Sequence, residues 1–269
     1  MINLKTFFAL FLILFISNHC AEVPVTGRKQ LSLISNDELI QASTAQYQEV
    51  LNQAKVSDNA EWTSWVKNSG NRIKKAVEEY FKERGQSELL DGYNWEFNLL
   101  DDNSVNAWAM PGGKVAFYTG IMPICQSELG VAVVMGHEVA HAVANHGRER
   151  VSQQMAAQTG LSIASILLGG AGASASGDLL LQAAGAGTSL GILKFSRENE
   201  SEADHLGLIF MALAGYNPEA APKFWERMSA NSGGQSPPEF LSTHPSHSTR
   251  IEDLNNWIPE AKQYYRKSN

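Results

Sequence analysis

Between Leu129 and Ala144 the chain is apolar or glycine at every position but three, and those three are His137, Glu138 and His141. A helix of this composition is apolar all round and must be buried. Ionisable groups inside it are costly unless they are paired or hold a metal. Residues four apart lie one turn above each other on one helix face, so His137 and His141 can aim ring nitrogens at a single ion, with Glu138 beside them. Two imidazoles and a neighbouring carboxylate form the H-E-x-x-H pattern of zinc hydrolysis, in which the histidines bind Zn²⁺ and the glutamate takes the proton of the attacking water.

Two histidines do not complete such a site, and the third ligand lies outside the helix. An H-E-x-x-H-x-x-G-x-x-H extension would need a glycine at position 144 and a histidine at position 147, but the chain has Ala144 and Gly147. His146, nine residues beyond His137, falls about half a turn away if the helix continues, and is read as structural. Downstream, the acidic cluster from Glu198 to Asp204 opens a second apolar helix containing Leu206, Leu208, Ile209, Phe210, Met211 and Leu213. Helical spacing there allows two i, i+4 pairs, Glu198 with Glu202 and Glu200 with Asp204, and does not choose between them.

Glu200-Ser201-Glu202-Ala203-Asp204 together with His137-Glu138-Val139-Ala140-His141 resembles the HtpX/Oma-like family of zinc metalloproteases, whose signature pairs H-E-x-x-H with E-x-x-x-D. Pro24 to Arg28, Asn106 to Gly113, Thr243-His244-Pro245 and Arg250-Ile251 look like further landmarks of that family. The resemblance implies one Zn²⁺ held by His137, His141 and Glu200, with Asp204 orienting a ligand histidine. It implies that His244 faces the metal, either stabilising the oxyanion or serving as a removable extra ligand. Arg250 would stand nearby as a charge stabiliser or a structural clamp. It also places Asn106, Ala107, Trp108, Ala109, Gly112 and Gly113 beside the metal, where an exposed sheet edge could hold a substrate as an added strand. Gly112 and Gly113 equally suit a plain hairpin turn.

Before this region, residues 1–19 read as a secretory signal: Lys5 precedes the apolar stretch from Phe7 to Ile16. That stretch falls short of the about 20 apolar residues that span a bilayer. Cys20 follows directly and suggests lipidation, although His19 and Ser17 depart from the usual cleavage box. Residues 20–35 are then an extended arm and residues 36–269 a single metalloprotease domain. Ser35 and Glu38 form a capping box for a helix to about Ala54, and a second helix runs from about Asn59 to Arg84. Strands follow at Trp95 to Leu99, Val105 to Met110 and Lys114 to Thr119. Residues 156–193 are almost free of charge and rich in Gly, Ala and Ser; they suggest a helical hairpin covering the cleft rather than a membrane contact. Asn217-Pro218 starts another helix, a Gly- and Pro-bearing loop spans 231–239, and a last helix turns Ile251, Leu254 and Ile258 inward.

The expected fold is therefore α+β and mainly helical, a gluzincin-type domain with a small sheet beside the zinc helix. A net charge of −7 without any basic run excludes nucleic acid as a partner. The resemblance is nearest to bacterial periplasmic lipoprotein-type members without a C-terminal repeat module. It implies unfolded or misassembled envelope proteins as substrates, at an outer membrane reached through lipidated Cys20. A chaperone-like lipoprotein that binds through the same sheet edge is the rival reading, and a protease held off by His244 is a third. An intact Glu138 argues against the pure binder, which has no use for a base.

Overall fold

The computed structural model describes residues 20–23, 26–167, 195–231, 238–245 and 249–266. The expected signal segment, the greater part of the proposed covering hairpin and most of the 231–239 loop lie outside those residues. The arm folds as a small antiparallel ribbon, β1 (Cys20–Glu22) against β2 (Lys29–Leu31), with Cys20 opposite Leu31. Helix α1 (Asn36–Gln53) opens at the expected capping box: the Ser35 hydroxyl accepts the Glu38 N–H while the Glu38 carboxylate accepts the Ser35 N–H. Helix α2 (Ala60–Glu83) is capped by the Asn59 side chain and buries Val66, Ile73, Val77, Tyr80 and Phe81. It stops before Gly85, whose φ of 65° favours a residue without a Cβ.

Three strands follow, β3 (Glu96–Leu100), β4 (Ala107–Met110) and β5 (Lys114–Tyr118), in the spatial order β3-β5-β4. Strand β5 runs parallel to β3 and antiparallel to β4. The hairpin between β4 and β5 turns through Gly112 and Gly113 at φ 85° and 82°, and a Cβ on Gly113 would lie 2.6 Å from the Trp95 ring. These glycines are thus required by the turn itself. Within the three-stranded sheet, β4 is an edge.

A single helical turn (Met122–Cys125) leads to Ser127, whose hydroxyl caps helix α3 (Glu128–Val143). Every residue of α3 from Gly130 to Val143 is buried, as its all-round apolar composition requires. The helix does not continue to His146. Asn145 takes φ 58°, and a new helix, α4 (His146–Leu167), begins immediately after it. The half-turn offset of His146, which held only for an unbroken helix, therefore does not apply, because the left-handed residue re-aims the chain.

Helix α5 (Arg197–Leu213) has a capping box of Ser196 and Asn199 and ends before Gly215 at φ 80°. Helix α6 (Ala220–Ala230) starts two residues later than expected. Asn217 instead accepts the Glu219 N–H at 3.1 Å and closes a separate turn. The short α7 (Glu239–Thr243) precedes α8 (Arg250–Ala261), whose buried positions are Arg250, Leu254 and Ala261. Ile251 and Ile258, expected inward, are half-buried, since the inner face is taken by Arg250 and Ala261. The mainly helical α+β architecture with a small sheet is as expected.

The central packing is α3 on α5, and it is closest at two glycines. A Cβ on Gly136 would lie 2.8 Å from the Gly207 carbonyl oxygen, and one on Gly207 would lie 2.9 Å from the His137 nitrogen. Both obstacles are backbone, which cannot swing away. Gly207→Ala should therefore push the helices apart and cost about 1–3 kcal/mol, the usual penalty of overpacking. Urea unfolding of the metal-free protein measures it; an unchanged midpoint would mean that the crossing is looser than described.

Candidate metal centre

Because α3 and α5 touch at Gly136 and Gly207, side chains on either side of that contact meet. His137 and His141 project from α3 with their Nε2 atoms 3.1 Å apart. Glu200, in the first turn of α5, places Oε1 3.3 Å from His141 Nε2 and Oε2 3.5 Å from His137 Nε2. His244, directly after α7, brings Nδ1 to 3.0 Å from Glu200 Oε1 and 3.2 Å from His137 Nε2. Aromatic rings brace two of the imidazoles: Phe195 stacks on His141 at 4.1 Å and Phe240 on His244 at 4.5 Å between centroids. One donor atom from each of His137, His141, Glu200 and His244 lies within 4.8 Å of the others, and all four residues are buried.

This cluster fits a cation better than it fits itself. His137 Nδ1 donates to Asp204 Oδ1 at 2.9 Å, since a carboxylate can only accept, and the opposite nitrogen of the neutral ring is then a lone pair. That lone pair faces His141 Nε2 and the buried carboxylate of Glu200, whose Oε2 has no hydrogen-bond partner. Converging nitrogen and carboxylate lone pairs are the donor set of a zinc site. The ionisation tendencies of Glu200 and His141 agree, while that of His244 runs the other way. Burial pushes the Glu200 carboxyl up, but His244, His141 and His137 outweigh it and hold the group well below the usual carboxylate range. Burial holds His141 well below the normal imidazole value. His244 is raised, because Glu200 and Glu138 overcome its burial.

Asp204 also accepts from Arg250 Nη2 at 2.7 Å, and the Arg250 guanidinium lies 3.2 Å over the Trp225 ring. Arg250 Nη2 also stands 3.4 Å from Glu200 Oε2, so the geometry suits both expected roles, a clamp on Asp204 and a charge stabiliser beside Glu200. Glu138 stands beside the cluster without joining it. Its Oε2 accepts the Ala109 N–H of β4 at 3.1 Å, and its Oε1 is 3.5 Å from His244 Nε2. Burial pushes the Glu138 carboxyl up, only partly offset by His244 and His137.

Between the two acid pairs that spacing left open, the structure brings Glu200 and Asp204 to the histidines. Glu198 is exposed, and Glu202 reaches His146 rather than the cluster. The sheet residues divide. Asn106 pairs with Tyr118 and binds the Ala107 N–H with its side chain, while Ala109 meets Glu138. Gly112 and Gly113 make the hairpin turn. His205 is away from the centre, stacked on Trp257 with Glu260 at 2.8 Å. His146, read as structural, stays outside the donor quartet; what sequence reasoning did not give is its contact with His141, Nδ1 to Nδ1 at 2.8 Å in a buried setting. Its signal was Asn145, one of the few residue types that readily take the left-handed conformation at a helix end.

Comparison with known proteins agrees with this geometry. Residues 67–258 match the model for Peptidase family M48. The chain is 33% identical over 266 residues to the mitochondrial metalloendopeptidase OMA1 of Saccharomyces cerevisiae, covering 95% of this chain and 74% of that protein. It is 34% identical over 166 residues to the beta-barrel assembly-enhancing protease of Escherichia coli, covering 60% of this chain and 34% of that one. It is also 31% identical to mitochondrial OMA1 of Bos taurus, covering 94% of this chain and 49% of the relative.

Glu200→Ala should abolish tight binding of a divalent metal, whereas Glu198→Ala, a change at an exposed position, should leave it intact. Metal analysis of the purified variants after dialysis decides; retained metal in Glu200→Ala would remove Glu200 from the ligand set.

Proposed function

The chain belongs to peptidase family M48, a family of metalloendopeptidases, and from that premise we propose that it is a zinc-dependent endopeptidase using His137, His141 and Glu200 as ligands. The observation that carries the reading is a carboxylate, Glu138, buried beside the metal-binding quartet yet outside it, with one oxygen lacking a hydrogen-bond partner. A bound Zn²⁺ supplies a Lewis acid that lets water act as a nucleophile near neutral pH. The protein supplies the rest. Glu138 accepts the proton of the attacking water and returns it to the leaving amine. Asp204, gripped by Arg250, fixes the ring of His137 so that its Nε2 lone pair faces the centre.

The edge strand β4 is proposed to align an extended substrate beside Glu138. Unlike the exposed edge expected from the sequence, Asn106 to Ala109 are buried, and the Ala107 and Ala109 N–H groups already meet Asn106 Oδ1 and Glu138 Oε2, so a substrate strand would have to replace those partners. Gly112 and Gly113 contribute by shaping the turn that holds this edge. His244 is proposed as a removable fourth ligand. It would offer a donor atom to a metal held by the quartet, and its Nε2 stands 3.5 Å from Glu138 Oε1, so its resting position is next to both the ligand set and the base. That arrangement favours restraint over oxyanion stabilisation.

For substrates, the reading is unfolded or misassembled proteins outside the cytoplasm. Its support is the name of the Escherichia coli relative, a beta-barrel assembly-enhancing protease, alongside OMA1 relatives that are mitochondrial. We assign the signal role to residues 1–19 and acylation to Cys20.

Three variants test this reading. Glu138→Gln should retain zinc and fold but cleave casein at least about two orders of magnitude more slowly, the lower end of a general base's contribution. Cleavage at the wild-type rate would sink the mechanism, and full binding of clients without cleavage by the wild type would favour the chaperone-like reading. His244→Ala should cleave casein faster than the wild type with zinc nearly unchanged; a fall on the order of 10²-fold would instead make His244 an oxyanion donor. Cys20→Ser should move the protein from the membrane fraction to the soluble fraction, and unchanged partitioning would contradict the anchor.

A further inference from the structure

The two α3 histidines are supported differently. His137 Nδ1 meets a carboxylate, Asp204, which an arginine, Arg250, holds. His141 Nδ1 meets His146 Nδ1 at 2.8 Å, and two ring nitrogens at that distance share one proton. The direction of sharing follows from the next contact. His146 Nε2 lies 2.9 Å from Glu202 Oε2, which can only accept, so Nε2 carries the hydrogen of the neutral ring. His146 Nδ1 is then an acceptor and His141 Nδ1–H the donor, which leaves the His141 Nε2 lone pair facing the quartet.

The series continues into the N-terminal arm. Glu202 also accepts from Arg28 Nε at 2.9 Å and from the Thr26 hydroxyl. The two terminal nitrogens of Arg28 fork onto Glu149 at 3.0 and 2.7 Å. Glu149 in turn accepts from Asn199 at 3.0 Å, within the capping box of the helix that carries Glu200. Both histidines are thus backed by a carboxylate that an arginine grips, one directly and the other through an intervening imidazole.

We propose that His146, Glu202 and Arg28 form a positioning relay for His141, so that the N-terminal arm is a working part of the metal centre. The proposal rests on the reading of His141 as a zinc ligand. A ligating histidine whose far N–H is held keeps its tautomer and ring orientation, and loss of such a partner costs about 10–100-fold in metal affinity. Arg28 and Thr26 precede the residues 67–258 that match the family model, so this support comes from chain outside the match.

The test uses the full chain and measures zinc affinity by chelator competition, with melting of the metal-free protein read alongside. His146→Leu removes both polar contacts and should weaken zinc binding about 10–100-fold. His146→Gln can accept through its amide oxygen and donate through its amide nitrogen, and should stay within a few-fold of wild type. Arg28→Met, on a side chain that is partly exposed, should weaken zinc binding as well. Combined with His146→Leu it should cost less than the product of the single losses, as expected within one network. Wild-type affinity in His146→Leu would overturn the relay. So would a His146→Gln as weak as the leucine variant, or multiplying losses in the double variant. If His146→Leu does not fold, unchanged zinc affinity in Arg28→Met alone overturns the proposal. His141→Ala is the separate control: wild-type zinc affinity there would sink the ligand reading itself, whatever His146 does.

Discussion

Everything at the centre of this molecule depends on two helices touching through glycine. Gly136 and Gly207 bring the backbones of α3 and α5 so close that neither position has room for a Cβ. Each glycine sits within one turn of the groups that matter: Gly136 immediately precedes His137, and Gly207 follows Asp204 by three residues. An interaxial distance of about 8–10 Å is usual for packed helices, set by the side chains between them. Removing those side chains at the contact lets Glu200 and Asp204 reach across to imidazoles on the opposing helix. The hydrophobic core and the polar centre are accordingly one structure, since the apolar residues that flank the glycines also press the polar ones together.

That union explains how so many ionisable groups tolerate complete burial. Isolated, each would be costly. Here part of the set faces complementary neighbours, His137 on Asp204, Asp204 on Arg250 and Arg250 over the Trp225 ring, while the buried Glu200 Oε2 and Glu138 Oε1 lack hydrogen-bond partners. The sheet takes part as well. Along β4 the Ala109 N–H is directed at Glu138 rather than at β5, so an edge strand and a helix are joined through a single carboxylate.

Much of this was legible in the sequence because it was written in local chemistry. Signals at Ser35, Asn59 and Ser127 begin helices, and Gly85 and Gly215 end them. The apolar run around His137, Glu138 and His141 announced a buried polar site without any tertiary knowledge. The rest required contacts between distant segments. Spacing could not separate Glu200 from Glu198, because both obey the same helical period and only the partner helix distinguishes them. Nor could it place β5 in the middle of the sheet, since strand order depends on crossovers and not on propensity. The contact of His146 with His141 was hidden for a local reason, one left-handed asparagine, which re-aims the chain at the end of α3.

The arm that carries Thr26 and Arg28 also bears on where this protein begins as a unit. The family match starts at residue 67, yet α1 lies earlier and lays Tyr47 against the sheet, its hydroxyl donating to the Val115 carbonyl. A chain trimmed to the matched segment would keep each of the four donor residues in its covalent order. It would still lose the guanidinium that joins Glu149 to Glu202 and the helix that backs β5. Sequence similarity delimits the chemistry, whereas the hydrogen bonds delimit a larger object, so modularity in this protein is better judged from its contacts than from the reach of an alignment.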